Sequence, residues 1–128
     1  MKTLTDSALL RTVRLTPYRK GKGPTFTLRT WDTFRSDNLG KSVLRYSLTQ
    51  RDVDGTVTEL FSGSDFACSP MYAIDSDSAC ASLLGFLTLR PGDTDAEYFE
   101  NYTDAQREFA DAHAERLACE VYARFGDQ

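Results

Sequence analysis

The hydrophobic pattern changes its period once along the chain, near Phe61, and that change constrains the fold more than any other feature. Before Phe61, apolar residues alternate with polar ones, which is the period of a half-buried strand. Beyond it they recur every three or four residues, the period of an amphipathic helix. Strands followed by helices make an α+β chain, and 128 residues suffice to bury one core without staples.

Four segments predict strands: about Leu10 to Thr16, Thr25 to Trp31, Val43 to Thr49, and Thr56 to Phe61. In the second, Phe26 and Leu28 face one way while Thr25, Thr27, Arg29 and Trp31 face the other. In the third, Leu44, Tyr46 and Leu48 share a face. Enrichment in Thr, Tyr and Val suits antiparallel pairing. Tyr18 to Gly23 reads as a polar loop and Asp54-Gly55 as a hairpin turn. Phe34 to Gly40 reads as a longer link with the composition of a mobile loop. Ser62-Gly63-Ser64-Asp65 is expected to break the sheet.

The helical half opens with an N-cap cluster, Asp75-Ser76-Asp77. Ala79, Cys80, Leu83, Leu84 and Leu87 then recur at helical spacing, and Pro91-Gly92 ends the run. Thr94-Asp95-Ala96-Glu97 and Thr103-Asp104-Ala105-Gln106 are capping boxes, the second opening a long helix to about Arg124. Gly126 suits its C-terminal stop. The expected architecture is one α+β domain over Met1–Gln128, with strands over about 10–61 and helices over about 76–124. It is a four-stranded antiparallel sheet with the C-terminal helices packed on one face. Phe26, Leu28, Leu44, Tyr46 and Leu48 are expected to meet Leu83, Leu84, Leu87, Leu117 and Val121. The order of the strands is not legible.

Composition excludes some classes. Hydrophobic residues make up 41%, which is a folding composition rather than a disordered one. No stretch approaches the ~20 apolar residues of a membrane helix. Met1 to Asp6 carry no apolar run, so a cytoplasmic protein without membrane contact is expected. Cys68, Cys80 and Cys119 are odd in number and widely spaced, which fits neither a disulfide framework nor a zinc motif. All three read as buried thiols. No metal and no cofactor is expected. Gly40-Lys41-Ser42 lacks the glycine that a phosphate loop needs at the position of Arg35, and a strand follows it instead of a helix. His113, the sole histidine, lies at the edge of an apolar helix stripe and reads as a packed residue. No Gly-x-Ser-x-Gly elbow or other local motif supports a nucleophile paired with it.

Charge is divided unevenly. Residues 1–60 carry eleven Lys/Arg against six Asp/Glu, a balance of +5, while residues 61–128 carry four against thirteen, a balance of −9. Two candidate surfaces follow. On the last helix, Phe109, Ala110, His113, Ala114, Leu117, Val121 and Phe125 share one side. Opposite them, Asp104, Glu108, Asp111 and Glu115 form a stripe about 16 Å long at ~1.5 Å per residue. Such a stripe is ordinarily a solvated face. Its functional readings are docking of a basic protein partner or, less favoured, a carboxylate or cation site. On the sheet, Arg14, Arg29, Trp31 and Arg45 gather with Thr12, Thr25, Thr27, Ser47, Thr56 and Thr58. Arginine with an exposed aromatic on a sheet is how several single-strand binders hold phosphate and stack bases. The ordinary reading of that face is a Thr-rich solvent surface.

Leu89-Arg90-Pro91-Gly92-Asp93-Thr94-Asp95-Ala96-Glu97-Tyr98-Phe99, preceded by Ala73-Ile74-Asp75-Ser76-Asp77, resembles small uncharacterised proteins encoded on bacterial plasmids, phages and integrative elements. The resemblance runs from about Leu15 to the last helix. It implies an accessory protein that binds host or defence components, and it transfers no site residue. Three functions are then open. The leading one is a non-enzymatic binding protein that docks a protein partner through the acidic helix. The second is a nucleic-acid module using the sheet. The third is a small enzyme with Asp/Glu or Cys chemistry, which the lack of an assembled motif disfavours. The catalytic residues of such an enzyme and the oligomeric state are not legible.

Overall fold

The computed structural model describes residues 8–74, 76–88 and 104–125. The chain divides into two compact units, Met1–Cys80 and Ala81–Gln128. In the first, β1 (Ala8–Leu15), β2 (Thr25–Ser36), β3 (Ser42–Arg51) and β4 (Val57–Cys68) form an antiparallel sheet in the order β1-β2-β3-β4. Each strand pairs with its neighbour in sequence, as in an antiparallel meander. A short helix α1 (Pro70–Ile74) follows, then α2 (Ser76–Leu87), whose first turn belongs to this unit. The second unit holds the rest of α2 and α3 (Asp104–Phe125). The α+β class and the four-stranded antiparallel sheet are as the sequence predicts.

Two related turns fix the register. In the β2–β3 turn the Asp37 amide donates to Lys41 O (2.9 Å), and Gly40 N–H donates back to Asp37 O (3.1 Å). In the β3–β4 turn the Asp52 amide donates to Thr56 O (2.8 Å), and Gly55 N–H donates to Asp52 O (2.9 Å). Gly40 and Gly55 sit at φ 81° and 94°, where a side chain would be strained. Aspartate finishes each turn: Asp37 Oδ1 accepts from Leu39 and Lys41 N–H, and Asp54 Oδ1 accepts from Thr56 N–H. Gly40-Lys41-Ser42 therefore closes a hairpin, as its strand context predicts.

Phe26, Leu28 and Thr30 of β2, Val13 and Leu15 of β1, and Leu44 and Leu48 of β3 are buried on the inner face. Tyr46 shares that face but is only half-buried. At one end Leu44, Cys68, Ala73 and Ala79 form a core cluster, with Leu10 and Phe66 packed against it. The first turn of α2 docks there: Thr30 Oγ1 lies 3.6 Å from Cys80 Sγ, and Arg11 Nε lies 2.8 Å from Asp77 Oδ1. The latter is an ion pair by distance rather than an aligned hydrogen bond. Both of its side chains are about half exposed, so it contributes ~0–1 kcal/mol.

Two expectations need correction. Phe34 to Gly40 is no long link: β2 runs on to Ser36 and a tight turn follows. Ser62-Gly63-Ser64-Asp65 does not break the sheet, since β4 continues to Cys68. Gly63 pairs with Tyr46, and a Cβ there would lie 3.0–3.1 Å from the Tyr46 ring and hydroxyl, so glycine admits a close approach. Ahead of the N-cap cluster, Ser69 and Pro70 start α1. Ser69 Oγ accepts from Met71 N–H, Ser69 O from Ala73 N–H, and proline takes the first helical position.

In the second unit Leu83, Leu84 and Leu87 are buried along α2, and Phe109, Ala110, Ala114 and Leu117 along α3. Val121 is half-buried. The Thr94 capping box, Pro91-Gly92, Thr103 and Gly126 lie outside the described residues.

Candidate functional site

The sheet's outer face is ordered by the register. Residues paired across antiparallel strands point the same way, so each row can be read directly. One row holds Arg14, Thr27, Thr49 and Glu59; the next holds Thr12, Arg29, Ser47 and Ser62. A third holds Leu9, Trp31 and Arg45. Arg14, Arg29 and Arg45 therefore descend diagonally across three strands, with neighbours about 7–8 Å apart. Arg14 and Arg45 are exposed, and Arg29 and Trp31 half-buried.

Arg45 lies over the ring of Trp31. The Arg45 guanidinium carbon stands 4.1 Å from the centroid of the indole ring. A cation over an indole face gains about 0.5–1 kcal/mol at an exposed site. A guanidinium carries several N–H donors at its edge, a geometry that suits a phosphate.

The structure also changes the membership of this face. Leu60 is an extra residue between the Phe61–Leu48 and Glu59–Thr49 pairs, so it shifts the alternation of β4. Glu59 joins the outer face, while Thr58 pairs with Gln50 on the other side and Thr56 lies in the turn. Two further arginines join: Arg35, paired with Val43, and Arg51, which ends β3 opposite Thr25 and Val57. The signal for Arg51 is its place two residues past Thr49 in the same alternation. Arg35 is hidden by a bulge in which Thr33 and Phe34 are both extra to the ladder.

The acidic stripe is present on α3. Asp104, Glu108, Asp111 and Glu115 are all exposed. It is less negative than the carboxylates alone suggest, because Arg107 Nη1 lies 2.6 Å from Asp104 Oδ1. Arg124 similarly lies 3.6 Å from Glu120. Among the described residues, no group of three or more His, Cys, Asp and Glu could hold a metal ion.

The thiols divide. Cys68 and Cys80 are buried, and burial pushes both up from the usual thiol range, against the activation a nucleophile needs. The Asp32 charge adds to the rise at Cys68, while Thr30 opposes it at Cys80. Cys119 is exposed, contrary to expectation: two residues beyond Leu117 on a helix, it points about 200° away.

His113 packs against Phe109, ring centroids 4.9 Å apart. Burial, and then the nearby Arg116 charge, hold its pKa below 6.5. The unfolded chain thus binds this proton more readily than the folded one. The associated stability is fully present above pH 6.5 and declines as pH falls through the lowered value. Denaturant midpoints should fall on acidification below that pH, and His113→Gln should flatten this part of the profile. An unchanged slope in the variant would assign the pH response to other groups.

No helix among the described residues is long and apolar enough to cross a membrane. Comparisons with protein-family models, with curated proteins and with solved structures return no match.

Proposed function

We propose that the protein is a binding module that takes single-stranded nucleic acid on the outer face of its sheet. The observation that carries this reading is the diagonal of Arg14, Arg29 and Arg45 running past Trp31, with Arg45 stacked on the indole. Arginines at this spacing can each meet a phosphate of an extended strand, and the indole offers a base a sequence-tolerant stacking partner. Threonine and serine hydroxyls between them add neutral donors. Glu59 at the β4 margin limits the positive surface to the first three strands.

Trp31 is the only tryptophan, so its fluorescence reports on this face alone. Titration with an oligothymidylate at low salt should quench it. If three to five arginines meet phosphates, log affinity should fall against log salt with a slope of about −2 to −3.5. An unquenched signal at low salt, with no shift of a labelled oligonucleotide, would sink the reading.

A second reading has the exposed Asp104, Glu108, Asp111 and Glu115 receive a basic protein partner. Their common exposure on α3 supports it, and the Arg107 ion pair weakens it. Either role suits an accessory protein of a mobile genetic element, the context that the resemblance suggests.

A further inference from the structure

Phe34 combines a strained backbone with an exposed ring. Its backbone is left-handed, at φ 61°, alone among the described non-glycine residues. Its side chain is 66% exposed. A bulky residue at positive φ is an outlier, and such strain persists only where the surroundings impose it. Here they do: Asp32 Oδ1 accepts from Phe34 N–H at 2.8 Å, and Thr33 Oγ1 donates to Val43 O at 2.6 Å. Neither bond uses the phenyl ring. Asparagine or glycine would adopt this backbone at lower cost. The ring is thus displayed on a backbone that would be more stable without it.

Its neighbours suggest a use. Phe34 lies three residues beyond Trp31 and directly before Arg35, and both of these belong to the outer face. At ~3.3 Å per residue, that separates it from Trp31 by at most about 10 Å of backbone. Lys41, exposed at the turn of the same hairpin, adds a second cation beside Arg35. An aromatic ring on a hairpin that also carries Arg35 and Lys41 complements a base with its flanking phosphates.

We infer that Phe34 is a second stacking platform, which takes a base of the same single strand next to the one held at Trp31. This rests on the nucleic-acid reading of the sheet, and the test separates the two. Oligothymidylate binding by the full chain is followed by Trp31 fluorescence and by a labelled strand, for wild type, Phe34→Asn and Phe34→Tyr. Phe34→Asn should weaken binding about five-fold or more, the usual effect of losing one base stack. Its salt slope should be unchanged, because no phosphate contact is lost, and its unfolding midpoint should equal or exceed wild type. Phe34→Tyr should bind like wild type. If wild type binds and Phe34→Asn binds equally well, the inference falls and the nucleic-acid reading stands. If wild type does not bind, both fall. A lowered midpoint in Phe34→Asn would assign the ring to packing. Should sedimentation show a dimer that the variant loses while strand binding persists, the ring serves self-association and the inference is wrong.

Discussion

Leu117→Asp is expected to leave the protein without a cooperative thermal transition under conditions where wild type melts cleanly. Leu117 is fully buried in the middle of α3, on the face shared by Phe109, Ala110 and Ala114. A carboxylate there meets apolar neighbours. It must take up a proton, turn the helix outward or stay charged in a medium that solvates it poorly. Each route costs several kcal/mol, a large share of the roughly 5–15 kcal/mol that stabilises an ordinary domain. Leu117→Ala should give the graded version, a loss of about 2–5 kcal/mol. Asp111→Ala, at an exposed site on the same helix, should stay within about 0.5 kcal/mol. A melt of Leu117→Asp within a degree or two of wild type would remove Leu117 from the core.

What the sequence reveals and what it hides follow one physical line. Strict periodicity is legible. The alternation in β2 and β3 places Arg29, Trp31 and Arg45 on one face, and the register confirms it. The 3.6-residue period of α3 places Leu117 inside and Glu108 and Glu115 outside. The strand corrections fall where the period is interrupted. The two-residue bulge after Asp32 makes Phe34 and Arg35 look like a loop. Leu60 slips the alternation of β4 by one and exchanges Thr58 for Glu59 on the outer face. Ser62-Gly63-Ser64-Asp65 has the composition of a break, yet the ladder to β3 outweighs local preference, and Gly63 is wanted for its lack of a side chain against Tyr46. A single chain does not announce a bulge, because a bulge answers to the partner strand. At Cys119 the neighbours in sequence suggest burial, but the angle from Leu117 sets it outside.

The charges give the sharpest test of function. Arg29→Glu with Arg45→Glu should abolish binding of an oligothymidylate at any salt concentration. Each reversal removes a cation from the outer face and puts an anion in its place. Replacing Arg45 also dissolves its stack on Trp31, which stands 4.1 Å away. A charge-assisted contact contributes about 1.5–3 kcal/mol. Losing two predicts a loss of roughly 10²- to 10⁴-fold in affinity, before the repulsion of the new carboxylates is counted. Stability should change less than affinity, because Arg45 is exposed and Arg29 only half-buried. Arg45→Lys is the informative intermediate. It keeps the charge and so the salt slope, but a lysine lacks the planar group that stacks on the indole and grips phosphate with two donors. Glu108→Lys with Glu115→Lys, on α3, is the counter-experiment, and it should leave oligonucleotide binding intact. Suppose instead that the arginine reversals change nothing, while the α3 reversals abolish capture of a basic protein from the native host. The working surface would then be the acidic helix, and the sheet's arginines would be a solvated face.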